Sequence, residues 1–167
     1  MKKSSLLILG AGGHSKVIRE IAKLSNNFEK ICFLDDKYTN QDSTHIIGKL
    51  NIENLNKYKY EFDSSFVAIG DNKMRAYWMA ILKEYKYLLP NLIHPNAIIS
   101  SEVMLGEEGI CIMAGSILEA GTEIKSGAII NSGTTINHDC CIDKYVHVSP
   151  GCNIAGNVII EEYTWIG

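Results

Sequence analysis

The sequence predicts two structural units in one chain, a small parallel α/β sheet followed by a solenoid of six-residue repeats. Three observations support this prediction. Short apolar runs alternate with glycine turns and amphipathic stretches in the first half, Pro90 and Pro95 interrupt that pattern, and apolar residues then recur at a spacing of six. We therefore expect an α/β domain over residues 1–90 and a repeat domain over 91–167.

The first unit alternates predicted strands with predicted helices. Apolar runs at 5–9 (SLLIL), 30–36 (KICFLDD) and 64–70 (SSFVAIG) predict three strands, and 16–24 and 71–85 predict two helices. The apolar residues near one face of these helices are Val17, Ile18, Ile21, Ala22 and Leu24 in the first, and Met74, Trp78, Ile81 and Leu82 in the second. A strand, a glycine loop and a helix in repeated order are typical of a small, Rossmann-like parallel sheet.

The second unit is an internal repeat with a strict period of six. Its apolar positions are Ile112, Leu118, Ile124, Ile130, Ile136, Ile142, Val148, Ile154, Ile160 and Ile166. Small or β-branched residues follow four positions later, at Ser116, Thr122, Ala128, Thr134, Cys140, Val146, Cys152, Val158 and Thr164. Three hexapeptides would close one triangular coil, and such coils would stack at about 4.8 Å to bury the aliphatic residues. The eight-residue step from Met104 to Ile112 predicts a two-residue insertion in the turn GEEG.

Composition limits the partners and the location. The net charge is −3 without a basic block, which argues against a nucleic acid or an anionic membrane surface as partner. No apolar run approaches the ~20 residues of a membrane span. The start, MKKSSLLILG, has only four apolar residues before its glycines, so we expect a buried strand, not a signal peptide, and a cytoplasmic protein.

The cysteines are expected to be structural. They are odd in number and form no CxxC pair, and no metal spacing occurs among the histidines and cysteines. Cys140 and Cys152 fall on the small, inward position of the repeat, which predicts core packing and no metal cofactor. Cys141 lies beside His138 and leaves a covalent acyl-enzyme open as the alternative to direct transfer.

The repeat and five further motifs identify a family that the chain resembles. In order these are ILGAGGHSKVIREIA, FLDD, AIGDNKMR, NLIHPNAIIS and NHDCCIDKYVHVSPGCNIAGNV. They resemble the left-handed β-helix acyltransferases built from hexapeptide repeats. Within them, the chain is similar to the NeuD/PglD type, the sialic acid O-acetyltransferases and nucleotide-aminosugar N-acetyltransferases. The resemblance covers nearly the whole chain.

The resemblance implies a function for each domain. The α/β domain would bind the acceptor, and the left-handed parallel β-helix would bind acetyl-CoA as co-substrate, with the active site between neighbouring subunits of a homotrimer. By the same resemblance His138 is the general base, His147 and Gly156 line the acetyl-CoA site, and Asn131 matches a polar active-site position. Family members usually continue for further coils, so we expect the repeat domain, and with it part of the acetyl-CoA site, to be truncated after residue 167.

The chemistry of acyl transfer fits a histidine on the repeat wall. A neutral imidazole can take the proton that an attacking amine or hydroxyl loses at cytoplasmic pH. Asp139 is the candidate to orient His138, either from a turn or across a subunit interface. Without the resemblance, His138 would be an exposed polar residue on a solenoid wall.

The glycine loop GAGGHS is the candidate acceptor-binding loop. Gly10, Gly12 and Gly13 would let the backbone approach phosphates at a helix N-terminus. Asp35 and Asp36, at the end of the second predicted strand, would meet a ribose or a base. The loop resembles a dinucleotide fingerprint, although Ser15 replaces the usual Gly or Ala at its sixth position. The motif alone therefore also permits NAD.

Three further residues are candidates for acceptor binding, and two of them have an alternative explanation. His14, at the junction of loop and helix, contacts the acceptor or is only a polar residue at the helix start. Asn72 and Arg75, after the third predicted strand, contact a sugar or phosphate, or Arg75 is an ordinary helix charge.

The leading hypothesis is an acetyl-CoA-dependent N-acetyltransferase acting on a nucleotide-linked amino sugar in bacterial glycan biosynthesis. The first alternative is a sialic acid O-acetyltransferase. The second is a non-catalytic scaffold that binds a nucleotide sugar or NAD.

Overall fold

The computed structural model describes residues 4–39 and 45–167, and its first unit is a four-stranded parallel sheet with helices on both faces. The strands are ordered β3-β2-β1-β4 across the sheet. The elements are β1 (Ser4–Leu9), α1 (Gly13–Leu24), β2 (Phe28–Leu34), β3 (Ile46–Gly48), α2 (Ile52–Tyr58), β4 (Ser64–Val67) and α3 (Asn72–Glu84). The predicted fold class is confirmed, with the carboxyl ends of β1, β2 and β4 forming one edge of the sheet.

Two elements of this unit, one strand and one helix, were not predicted. The strand β3 has only three residues, and α2 buries only Leu55, so neither produces a periodic apolar signal. Local polar chemistry marks the start of α2 instead, because the side chain of Asn51 accepts a hydrogen bond from the backbone N–H of Asn54.

The predicted helix faces were wrong at three positions. Val17, Leu24 and Met74 are exposed, whereas Ile18 and Leu82 are buried as expected. The buried residues of α3 are instead Asn72, Arg75, Trp78, Met79 and Leu82. A helical pattern of apolar residues places an arginine on the solvent-exposed face. Arg75 instead points into the structure and is 1% exposed.

The second unit is the predicted left-handed β-helix, built from thirteen two-residue strands within the described residues. They are β5 (Leu92–Ile93), β6 (Ile98–Ile99), β7 (Met104–Leu105), β8 (Cys111–Ile112), β9 (Ile117–Leu118), β10 (Glu123–Ile124), β11 (Ile129–Ile130), β12 (Thr135–Ile136), β13 (Cys141–Ile142), β14 (His147–Val148), β15 (Asn153–Ile154), β16 (Ile159–Ile160) and β17 (Trp165–Ile166). From Ile112 to Ile160 every predicted apolar position is buried.

Three parallel sheets form the walls of this prism. The first wall contains β5, β8, β11, β14 and β17, the second contains β6, β9, β12 and β15, and the third contains β7, β10, β13 and β16. From β8 onward, partners such as Ile129 and His147 are one coil of three hexapeptides apart, as predicted.

The corners of the prism contain left-handed residues at the same period of six. Glycine occupies this position in the early coils, for example Gly121 with φ of 73°. Most later coils have larger residues there, including Asp139 (φ 58°) and Tyr145 (φ 58°), with Gly151 as the exception. Asn and Asp tolerate this conformation best among non-glycine residues, whereas tyrosine is uncommon there.

The predicted two-residue insertion was wrong by one residue. Leu105 pairs with Ile124, so it holds the inward position, and Met104 is exposed. The step from Leu105 to Ile112 is therefore seven residues, one more than the repeat, and the turn after Gly106 contains the extra residue.

The first wall packs against the α/β sheet through a column of outward side chains. Leu92, Cys111 and Ile129 pair in register along this wall and are buried with Leu6 and Ile18 of the sheet and α1. The same column continues through two aromatic residues, His147 and Trp165. The apolar packing along this column therefore ends at Ile129, and His147 is the next residue of the column.

Candidate active site

The residues His138 and Asp139 form a hydrogen-bonded pair at the corner between the second and third walls. Nδ1 of His138 lies 2.8 Å from Oδ2 of Asp139, and both side chains are 61% exposed. Side chains of adjacent strand residues point to opposite faces. Here Asp139 is in a left-handed turn, so its carboxylate reaches the neighbouring ring. The Nδ1–H group donates a hydrogen bond to this carboxylate, which leaves Nε2 as the basic nitrogen.

The imidazole of His138 lies against Gly156, one coil further along the chain. A Cβ added at Gly156 would lie 2.7 Å from Nε2 and 2.8 Å from Cε1 of that ring. Any side chain at this position would therefore displace His138. The backbone N–H of Gly156 makes no hydrogen bond with a backbone group of the described residues.

The residues His147 and Asn131 form a second polar pair, on the first wall. The Asn131 amide is oriented by the Ser132 N–H, which donates to Oδ1 at 2.9 Å, so Nδ2 faces Nε2 of His147 at 3.2 Å. Nε2 is then the acceptor, and the neutral ring has its proton on Nδ1. The ring also stacks on Trp165, with centroids 5.2 Å apart and planes 11° apart.

His14 lies at the start of α1, within electrostatic range of His147. Burial, the nearby His147 and the charge of Arg75 lower the pKa of His14 to about 4. Burial and Arg75 likewise lower the pKa of His147, against a smaller opposite effect of the Gly70 backbone. Within the described residues, Nε2 of His14 and Nδ1 of His147 are buried and make no hydrogen bond of good geometry.

The structure does not bring His138 and His147 together within one chain. His147 lies on the first wall, which faces the α/β sheet, whereas His138 lies at the corner between the other two walls. Sequence proximity had placed both in one motif. They are half a coil apart, and half a turn of a triangular prism separates one wall from the opposite corner.

The glycine loop lies at the carboxyl edge of the sheet, where parallel sheets bind ligands. Gly10 adopts φ of 96°, Gly12 caps α1, and Gly13 is the first residue of that helix. Asp35 supports the loop directly, because its carboxylate accepts the Ala11 N–H at 2.6 Å and the Lys37 N–H at 2.9 Å. Asp36 is exposed in a cleft of about 360 Å³ beside Gly12.

A second cleft of about 470 Å³ adjoins the first and contains residues that the sequence analysis missed. Its lining includes Lys16, Arg19 and Lys23 along α1 and His45 opposite them. Nε of Arg19 is buried without a hydrogen-bond partner in the described chain. The spacing of three and four residues between these basic side chains was the available signal.

The side chains of Asn72 and Arg75 are engaged with the protein itself. Arg75 donates all five of its N–H groups to protein acceptors, and Asn72 donates to the carbonyls of Tyr163 and Thr164. Contact of Arg75 with an acceptor molecule would require one of these hydrogen bonds to be exchanged.

The cysteines take no part in these clusters. Cys140 is buried in the β-helix core, as predicted, and Cys152 packs partly against it. The Sγ of Cys141 lies 3.9 Å from Oε2 of Glu123. All five thiols are free, and the described residues contain no group of three His, Cys, Asp or Glu side chains placed to hold a metal ion.

One family model and one known enzyme are similar to this chain in sequence. Residues 5–82 match the family model "PglD N-terminal domain". The chain is 35% identical over 116 residues to UDP-N-acetylbacillosamine N-acetyltransferase of Bacillus subtilis (strain 168). That match covers 66% of this chain and 51% of the relative, so the chain spans about half the length of the relative.

Two solved structures resemble the chain over nearly its full length. The acetyltransferase domain of PglB from Neisseria gonorrhoeae, in complex with acetyl coenzyme A, is 35% identical with a TM-score of 0.90, covering 99% of this chain and 80% of that one. A mutant of perosamine N-acetyltransferase from Caulobacter crescentus, in complex with CoA and GDP-perosamine, is 31% identical with a TM-score of 0.89. It covers 96% of this chain and 76% of that one.

Proposed function

This chain belongs to the family of PglD-type hexapeptide-repeat acetyltransferases, and we propose that it transfers acetyl from acetyl-CoA to the amino group of a nucleotide-linked amino sugar. The observation that supports this most directly is the His138–Asp139 pair on the β-helix. The relatives are named for N-acetylation of nucleotide-linked amino sugars. Such a product belongs to bacterial glycan biosynthesis.

His138 is the proposed general base. Its Nε2 takes a proton from the amine as the nitrogen attacks the thioester carbonyl, and the new C–N bond replaces the C–S bond. The thiolate of CoA then leaves and is protonated by the imidazolium. A positioned base typically contributes about 10²–10⁴-fold to such a rate. Asp139 holds the ring in the tautomer that this step requires.

The acetyl-CoA site is proposed to include Gly156, His147 and Asn131. Gly156 lies beside the basic nitrogen, and its N–H has no backbone partner among the described residues, which suits a donor to the oxyanion. The neutral ring of His147, fixed by Asn131, would line the same site from the first wall.

The acceptor is proposed to bind at the carboxyl edge of the α/β sheet. Gly10, Gly12 and Gly13 form the loop that would approach the diphosphate, with Asp36 and His14 as side-chain contacts and Asp35 as the support of the loop. Under this proposal Asn72 and Arg75 do not contact the acceptor, because their side chains are hydrogen-bonded to the protein itself.

Assembly of a homotrimer would complete the site. His138 is exposed at one corner and His147 lies on a different wall, so a single chain does not place the base beside the second polar pair. Contact between the corner of one copy and the first wall of the next would do so. We also propose a cytoplasmic location, where acetyl-CoA is available. No helix in the described part of the chain has the length and hydropathy of a membrane span.

The test is release of CoA from acetyl-CoA in the presence of different acceptors. We expect turnover with a UDP- or GDP-linked 4-amino sugar and none with free or CMP-linked sialic acid. Turnover with sialic acids alone would replace this proposal by O-acetylation. Binding of nucleotide sugar or NAD without any turnover would favour the scaffold alternative.

A further inference from the structure

The helix α3 lies along the corner between the third and first walls and contacts one coil with each helical turn. Asn72 reaches the carbonyls of Tyr163 and Thr164, Arg75 reaches those of Tyr145 and Gly127, and Met79 packs on Gly127 and Gly109. One α-helical turn rises about 5.4 Å and one coil about 4.8 Å, so side chains three or four residues apart meet successive coils.

The corner carbonyls under α3 need donors that the β-helix itself does not supply. Gly127, Tyr145 and Tyr163 are the left-handed residues of three stacked turns. Within the described chain, no backbone N–H donates to their carbonyl oxygens. At an exposed corner water would satisfy them, but here the helix covers them, and a buried carbonyl without a donor is costly. Arg75 and Asn72 provide the donors.

The guanidinium of Arg75 uses every donor it has, and its acceptors lie in both units. Nε donates to the Gly127 carbonyl at 2.8 Å, and one terminal nitrogen donates to Tyr145 O at 2.7 Å and to Asn72 Oδ1 at 2.7 Å. The other terminal nitrogen donates to the carbonyls of Ile69 and Gly70, both at 3.1 Å. The same group therefore holds the loop after β4 and two coils of the β-helix.

We propose that Arg75 is a positioning residue that fixes the acceptor-binding sheet against the β-helix and thereby sets the alignment of acceptor and acetyl group. This inference rests on the proposed acetyl transfer. The Ile69–Gly70 loop that Arg75 holds lies at the same sheet edge as the glycine loop, since a Cβ at Gly10 would lie 3.1 Å from the Ala68 carbonyl oxygen. Its charge also acts on His14 and His147. A displacement near 1 Å between reacting groups can cost about 10²-fold in rate.

The test compares Arg75→Met and Arg75→Lys with Lys83→Met. The control lies on the same helix and removes the exposed Lys83–Glu108 ion pair at the same interface. Lysine has three donors on one nitrogen and cannot reach five acceptors arranged around a planar group.

For Arg75→Met we expect kcat to fall roughly ten- to a hundredfold while the KM for acetyl-CoA stays within about twofold, measured where the variant is folded by circular dichroism. Arg75→Lys should fall between this variant and wild type, and Lys83→Met should match wild type. Amide hydrogen exchange should rise in α3 and in the turns at 127 and 145 for Arg75→Met, but not for Lys83→Met.

Other outcomes would overturn either the positioning role of Arg75 or the proposed function. Unchanged kcat and exchange in folded Arg75→Met, or a lower melting temperature alone, would overturn the positioning role. Loss of activity with unchanged exchange would mean that Arg75 contacts substrate, which also overturns it. If the wild type shows no acetyl transfer but Arg75→Met still exchanges faster, the proposed function is refuted. The role of Arg75 in holding the two units together would then stand.

Discussion

Nδ1 of His138 lies 2.8 Å from Oδ2 of Asp139, the next residue in the chain. This contact depends on the left-handed conformation of Asp139, because an extended residue would direct the carboxylate away from the ring. A turn of the β-helix therefore supplies both a base and its orienting group.

Replacing His138 by glutamine should lower kcat by about 10²–10⁴-fold, because the amine would lose its proton acceptor. Acetyl-CoA binding, measured by calorimetry, should be retained. The matched control is Cys141→Ser, which removes the thiol that an acyl-enzyme would need, and its activity should equal wild type. Loss of activity in the cysteine variant with an active His138→Gln would support covalent transfer instead.

Replacing Asp139 by asparagine tests the orienting carboxylate without disturbing the turn, since asparagine tolerates the left-handed region. A hydrogen bond to a charged group contributes about 1.5–3 kcal/mol, so we expect kcat to fall at least about tenfold. Asp139→Ala should lower kcat similarly and also lower the melting temperature. The orienting role would be excluded by a folded Asp139→Asn enzyme with the wild-type kcat.

Replacing Gly156 by alanine should displace the imidazole of His138, because the new methyl group would lie 2.7 Å from Nε2. The ring is largely exposed and can rotate away, so kcat should fall while the melting temperature changes little. The substitution should have no further effect on activity in a His138→Ala background, which a double-mutant cycle measures. Additive losses would mean that Gly156 acts independently of His138.

Lowering the pH from about 6.5 to about 4 should destabilise the protein through His14. Its folded pKa is about 4, below the ordinary value of 6.5, so the unfolded chain binds more protons in this window. The free energy of unfolding therefore decreases as the pH is lowered. The contribution of this group is on the order of 3 kcal/mol. Denaturant titrations should show a flatter pH dependence for His14→Gln. The exposed His45→Gln variant should keep the wild-type slope, and equal slopes in all three proteins would contradict the buried, neutral state of His14.

Local sequence patterns predicted the β-helix well because its constraint repeats. Every sixth residue from Ile112 to Ile160 must fill the same prism, so the periodicity reveals the core residue by residue. The same reasoning failed where a single contact decides the outcome. Nothing periodic marks β3, and the extra residue after Gly106 could be placed only once Leu105 was seen to pair with Ile124.

The assignments in the α/β unit show the same division. The strand order and the glycine loop follow from apolar runs and turn residues, which are local. That Asp35 supports the loop through Ala11, and that Arg75 satisfies carbonyls at Gly127 and Tyr145, depends on residues far apart in sequence. A buried arginine is affordable only where such acceptors converge, and composition alone does not reveal that convergence.

The sequence by itself determined that this chain combines a small parallel sheet with a hexapeptide β-helix, and which residues are relieved of core packing. His138, Asp139 and His147 were candidates for this reason. Only the tertiary structure decided that Asp139 turns back onto His138, that Gly156 leaves room for the ring, and that His147 lies on a different wall. The physical reason is that repeat positions are fixed by chain-local geometry, whereas contacts at a site are fixed by how coils stack and how the sheet docks on them.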